Sequence, residues 1–239
     1  MAQVAIIVFL LATVMAPLQA LADLPRVEHP PHGYGSLNVL SVGDWGRRGQ
    51  LNQTLVAKQM GIIGKRMNID FVVNVGDNFY DNGLIGVDDK AFEESFTNIY
   101  TAKSLQKPCA LKQSTATWKI VVGHHAIRSV SEHGDTEELI EQLLPILKAN
   151  EVDLYINGHD HCLEHISSRD SPLQYLTSGG GSKAWRGIFT PNSDKLEFFY
   201  DGQGFMSLQL SKADLHLAFY NVDGKVLHRW GHIKPVQYY

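Results

Sequence analysis

Largely apolar runs along this chain stop abruptly at a glycine and a polar cluster. Leu37–Val42 ends at Gly43-Asp44-Trp45-Gly46, and Phe71–Val75 at Gly76-Asp77-Asn78-Phe79-Tyr80. Trp118–Val122 ends at Gly123-His124-His125, and Leu154–Asn157 at Gly158-His159-Asp160-His161. Short runs without strict alternation predict strands covered on both faces, as in a parallel sheet. Leu51–Met67 lies between the first two, and Leu55, Ile62 and Ile63 give it helical spacing. Strand, helix, strand reads as a right-handed parallel unit. Asp89–Tyr100 spaces Phe92, Phe96 and Ile99 helically. Thr136–Asn150 predicts one amphipathic helix, with Glu137 and Glu138 at its positive end. From Leu173 onward the runs alternate and are punctuated by glycine, and Asp223-Gly224 signals a hairpin. The pattern predicts an α/β fold in which an antiparallel sheet packs on a parallel one.

The chain has 239 residues, 44% of them hydrophobic, and a formal charge of -4. That length and apolar content suit one domain with an ample core. The mild acidity and the lack of any basic run exclude an electrostatic footprint for nucleic acid. Val4 to Met15 is continuously apolar and leads to Ala20-Leu21-Ala22, which reads as a secretory leader spanning residues 1–22. The run is shorter than the ~20 residues of a membrane span. Residues 23–239 are then the domain, exported to an extracellular, cell-wall or vacuolar compartment. Asn52-Gln53-Thr54 is an acceptor for N-glycosylation there. Cys109 and Cys162 are too few to define a disulfide framework, and their pairing stays open.

Open α/β sheets hold their ligand sites beyond the carboxyl ends of the strands. Four such ends here carry Asp44, Asp77 with Tyr80, His124, and His159 with His161. Each has a glycine beside or near it, which lets the backbone turn sharply. Gly-Asp after one strand is ordinary turn chemistry. Four ends bearing carboxylate, phenol and imidazole point instead to a metal centre. Oxygen donors with imidazole suit iron, zinc or manganese. A carboxylate can bridge two cations, and a pair ~3.5–4 Å apart clamps both oxygens of an in-line phosphoryl displacement.

These ordered motifs resemble those of the purple acid phosphatases, within the calcineurin-like metallophosphoesterases. The likeness is to the small plant type, similar to tartrate-resistant acid phosphatase, and runs from about Leu37 to Trp230. The resemblance implies a sandwich of two mixed β-sheets flanked by helices. It also implies hydrolysis of small phosphate monoesters at a pair made of Fe(3+) and a divalent ion (zinc, manganese or iron). By the same resemblance Asp44, Tyr80 and His161 hold the ferric ion, Asp77 bridges, and His124 and His159 hold the divalent ion. His133 resembles an outer histidine that protonates the leaving group. His125 is assigned to the pocket wall and Asp160 to a turn. Ser178-Gly179-Gly180-Gly181-Ser182 resembles a loop near the family's site; taken alone it reads as a flexible turn or a phosphate cradle.

The family's Gly-Asn-His motif, expected between Tyr80 and His124, occurs nowhere in this chain. The sequence runs from Lys107-Pro108 through Cys109 to Ser114 before family-like text resumes at Thr115. That pattern implies an internal excision near 108–115, with central strands partly deleted. Flanking strands then lose partners or close up on each other, which would move His124 relative to Asp77. Two functional expectations follow: an acid phosphatase, or an inactive splice-type variant that at most binds metal.

Overall fold

The computed structural model describes residues 3–8, 35–86, 88–106, 116–192 and 194–235. The leader's cleavage site, the lead-in to Leu37, Cys109 and the 108–115 junction lie outside these residues. The elements in chain order are β1 (Gln3–Val8), β2 (Leu37–Val42), α1 (Gln53–Met67), β3 (Phe71–Asn74) and β4 (Ala116–Val122). There follow α2 (Glu137–Gln142), α3 (Leu144–Ala149), β5 (Leu154–Asn157), β6 (Leu163–Ser167) and β7 (Gln174–Ser178). The chain closes with β8 (Lys195–Tyr200), β9 (Gly204–Leu210), β10 (Asp214–Asn221) and β11 (Val226–Ile233).

Two mixed sheets result, ordered β1-β4-β5-β7-β6-β8 and β11-β10-β9-β2-β3. β2 and β3 are parallel, as are β4, β5 and β7. The late strands do not form a separate antiparallel sheet, as their alternation suggested. They divide between the two sheets, because each parallel sheet has apolar edges to cover. The continuous apolar runs now have a physical reason. Leu37 and Val39 of β2 face the other sheet and meet Ile120, Ile156 and Phe219. Leu40 and Val42 face outward against Val56, Met60 and Ile63 of α1. Behind the other sheet, Leu144 and Leu147 of α3 cover Val121 and Tyr155.

Three local expectations are corrected. The helix expected over 136–150 breaks into α2 and α3 at Leu143, because Pro145 has no N–H to continue the ladder. The helix expected over 89–100 shrinks to the π-helical turn Glu93–Thr97. β6, which directly follows the Gly-His-Asp-His corner, was not expected. Nor do the strands flanking the junction pair with each other. β3 ends one sheet, and β4 pairs with β1 and β5 in the other. β1 lies within the stretch read as a leader and runs parallel to β4. Beside β3 is a cavity of about 550 Å³, lined by Val42, Met60, Val72, Phe96 and Leu105 among others.

One polar contact ties the two sheets through the core. The buried His165 of β6 donates from Nε2 to Gln174 Oε1 at 2.8 Å, and its Nδ1 lies 3.1 Å from Nε2 of His228 on β11. Burial pulls the His165 pKa down to about 4; the His228 imidazole adds to this and the Gln174 bond opposes it. The folded value lies below that of a free imidazole, so its full contribution is present above about pH 6.5 and is lost as pH falls toward 4. At about 1.4 kcal/mol per unit this is about 3 kcal/mol. Urea midpoints should therefore fall more between pH 7 and pH 4 in the native chain than in His165→Gln. Parallel pH dependences would contradict this assignment.

Candidate metal centre

All four glycine-ended strands deliver their polar residues to one edge of the sandwich. The Asp44 backbone N–H donates to the Gly76 carbonyl at 3.0 Å, which joins the ends of β2 and β3. Gly158 N–H donates to the His124 carbonyl at 3.1 Å, which joins the ends of β4 and β5. Asp44, Asp77 and His159 all sit at positive φ, at 59°, 47° and 69°. Non-glycine residues held there cost of order 1–3 kcal/mol each, and such strain collects at functional sites.

Asp44, Asp77 and His161 each offer a donor atom within 4.8 Å of the others. Tyr80 completes the group. Its hydroxyl donates to Asp77 Oδ2 at 2.7 Å and lies 3.1 Å from both Asp44 Oδ1 and His161 Nε2. Burial, opposed by His161, raises the Asp44 pKa. Burial and the two carboxylates raise that of Tyr80 as well. The His124 hydrogen bond, with help from Tyr80, holds Asp77 low. Two carboxylates and a phenol crowded together repel one another once ionised, and a highly charged cation reverses that balance. Hard oxygens with one imidazole fit a ferric ion.

His124 stands beside this group, with Nε2 3.3 Å from Asp77 Oδ1. Its Nδ1 donates to the Val75 carbonyl at 2.9 Å, which leaves Nε2 facing Asp77 with its lone pair available. Burial pulls its pKa down, but Asp77, the Val75 carbonyl and Asp44 outweigh burial and the net shift is upward. His159 lies 5.1 Å from His124 between ring centres, and its backbone N–H donates to Asp44 Oδ2 at 3.1 Å. Burial and the neighbouring imidazoles pull His159 down to about 3, so it is neutral and able to ligate in acid. His125 contacts His159 at 4.1 Å, as a wall residue would. His133 is exposed but stacks on His159 at 4.2 Å, so it belongs to the site. Asp160 does more than turn the chain: fully buried, its Oδ1 accepts the His133 backbone N–H at 3.1 Å.

Several contacts of the site had no signal in the sequence. Trp185 stacks on His161 at 4.0 Å and meets His133 edge-on at 5.0 Å. The Arg47 guanidinium lies 3.6 Å above the Tyr80 ring and pairs with Asp81. The glycine loop is not a phosphate cradle. Its Gly179 and Gly181 amides bond to the Cys162 and Gly43 carbonyls, and Ser182 Oγ donates to the Asp44 carbonyl at 2.6 Å. It stitches β7 to the end of β2 across the two sheets.

Two mixed sheets with carboxylates and imidazoles gathered past their parallel strands define a metallophosphoesterase. The family model for the calcineurin-like phosphoesterases matches residues 93–163. The chain is 42% identical to purple acid phosphatase 4 of Arabidopsis thaliana, over 94% of this chain and 91% of that one. It belongs to the purple acid phosphatases, which are metal-dependent acid phosphatases with a binuclear metal centre. The alignment runs over 311 positions against 239 residues here, so at least 72 positions fall opposite gaps in this chain. Two solved structures share the fold. The purple acid phosphatase PPD1 of yellow lupin (Lupinus luteus) aligns with a TM-score of 0.61 at 15% identity, covering 86% of this chain and 55% of that one. GAP50, the anchor in the inner membrane complex of Plasmodium, aligns at 0.73 and 23% identity, covering 84% and 90%.

Gly158 is needed for close approach, since a Cβ there would lie 2.5 Å from Asp44 Oδ2. That Cβ would also press on the Val75 carbonyl at 2.9 Å, so we expect Gly158→Ala to lower the thermal melt of the metal-free protein as well as to weaken metal retention about 10–100-fold. Bound metal after dialysis, measured by elemental analysis, reads the second effect. Unchanged metal content would contradict a role for the Asp44 carboxylate in holding it.

Proposed function

We propose that this chain hydrolyses phosphate monoesters in acid. Asp44, Asp77, Tyr80 and His161 would hold a ferric ion, and Asp77, His124 and His159 a divalent one (zinc, manganese or iron). The observation that carries this reading is the meeting of the Tyr80 hydroxyl with Asp44, Asp77 and His161, residues drawn from three separate strand ends. When bound, such a pair supplies the Lewis acidity that displacement at phosphorus requires. The chain's own side chains do the rest. His133 donates a proton to the departing alkoxide, Arg47 holds the Tyr80 ring in place, and Trp185 keeps water from one face of His161. A phenol in the donor set favours this chemistry over a diesterase of the wider superfamily.

A second reading is a metal-binding variant without turnover. It is favoured by the gapped alignment and by the open divalent side. Among the described residues, the group of three or more histidine, cysteine or acidic donors within 4.8 Å of one another is Asp44, Asp77 and His161, and neither His124 nor His159 joins it. Export after removal of residues 1–22 completes the proposal. Asn52 is exposed at the start of α1, where it can carry a glycan.

Turnover of p-nitrophenyl phosphate by protein loaded with iron and zinc, at about pH 5, decides between the readings. We expect Asp77→Ala to reduce it by about a hundredfold or more, and chelation to abolish it. Retained iron with no turnover in the native chain would establish the second reading instead. Separately, enzymatic deglycosylation of exported protein should lower its mass, and Asn52→Gln should remove that change.

A further inference from the structure

The segment that presents His133 has no secondary structure, so the partners of its backbone amides must be found elsewhere. All four that can be traced go to side chains. Ser129 N–H donates to Asp135 Oδ1 at 3.0 Å, and Val130 N–H to Glu164 Oε1 at 2.7 Å. Ser131 N–H donates to Ser129 Oγ at 3.0 Å, and His133 N–H to Asp160 Oδ1 at 3.1 Å. One backbone acceptor is also used: the Val130 carbonyl receives Thr190 N–H at 2.7 Å. Glu164 differs from the other acceptors in its setting. It is 1% exposed and sits on β6, a strand paired on both sides and beginning two residues after His161. Its other oxygen, Oε2, lies 3.3 Å from Thr177 Oγ1 on β7.

We propose that Glu164 is a positioning residue for the leaving-group proton: from the buried face of β6 it fixes the strap 129–135 and so seats His133 against His159 and Trp185. This rests on the phosphatase reading above, in which His133 is the proton donor. A buried carboxyl is a costly choice for a merely structural tie, because an apolar side chain would pack there without desolvating an acid. It does what an apolar residue cannot, since from the face of β6 shared with Ile166 it accepts the Val130 amide at 2.7 Å. Burial pushes its pKa up to about 8, the Val130 bond opposing this and the Asp160 charge adding to it. In acid it is therefore a carboxylic acid, accepting from Val130 through one oxygen and donating to Thr177 through the other. A glutamine amide offers the same acceptor and donor; a methionine fills the space and offers neither.

The leaving group provides the test. An alkyl phosphate needs its departing oxygen protonated, whereas p-nitrophenolate leaves without help. In protein of native metal content, Glu164→Met should lower kcat on ethyl phosphate by about thirtyfold or more, that on p-nitrophenyl phosphate by less than about threefold, and Glu164→Gln should restore both. Equal losses on the two esters, or none, overturn the proposal. If Glu164→Met does not fold, Thr177→Val removes the second contact and reads the same ratio. Amide hydrogen exchange separates failure of this idea from failure of the phosphatase reading. Should the native chain turn over neither ester, that reading falls. Val130 and His133 must still exchange about tenfold faster in Glu164→Met than in Glu164→Gln; equal rates overturn the positioning role by themselves.

Discussion

The Asp44 carboxylate is the point through which the whole sandwich is tied. It is fully buried, its Oδ1 meets Tyr80 and His161, and its Oδ2 takes the His159 amide. Its backbone carbonyl receives Ser182, and its amide bonds to Gly76. The loops after β3, β5 and β7 therefore all touch one residue. A carboxylate taken out of water among another carboxylate and a phenol is unfavourable unless positive charge compensates it. The fold concentrates negative groups at a spot it could have left apolar, and that choice makes sense only with cations.

The cost of the arrangement is spread through backbone contacts rather than concentrated in side chains. Gly76 at φ +103° lets the His124 ring lie where a Cβ would be 2.3 Å from its Nδ1. The two sheets are joined at the same end, where Gly43 N–H donates to the Ser178 carbonyl at 2.8 Å and Ser178 Oγ donates to the Ser41 carbonyl at 2.8 Å. At the far side the His165–His228 contact joins them again. Asp44, Asp77 with Tyr80, and His161 stand past the ends of β2, β3 and β5. His124, past the end of β4, still lies 3.3 Å from Asp77 in a chain with more than seventy aligned positions opposite gaps.

The parts of the site that were legible in the sequence share one property: they are polar residues stopping an apolar run. Asp44, Asp77, Tyr80, His124, His159 and His161 announce themselves because four buried strands of one chain end that way. Glu164 was not legible, since it stands inside a strand whose alternation is masked by burial on both faces. Trp185 follows a glycine loop whose role is set by contacts far away in sequence. Arg47 shows its place only in the fold, where the Tyr80 ring lies 3.6 Å beneath it. In the fold, the parallel unit over 37–75 was readable from period alone. The division of the late strands between two sheets was not, because alternation reports a half-covered strand without naming the sheet it joins. The break at Leu143 was readable from Pro145, and helical spacing on both sides concealed it.

The left-handed backbone at Asp44, Asp77 and His159 limits how this chain can change over time. Glycine enters that region freely, asparagine, aspartate and histidine enter it at less cost than other residues, and β-branched side chains are effectively barred. A lineage that gave up chemistry while keeping the scaffold would accumulate glycine and asparagine at these corners long before its strands decayed. The aspartates at 44 and 77 and the histidine at 159 thus bring charge and imidazole to corners whose shape glycine would serve more easily.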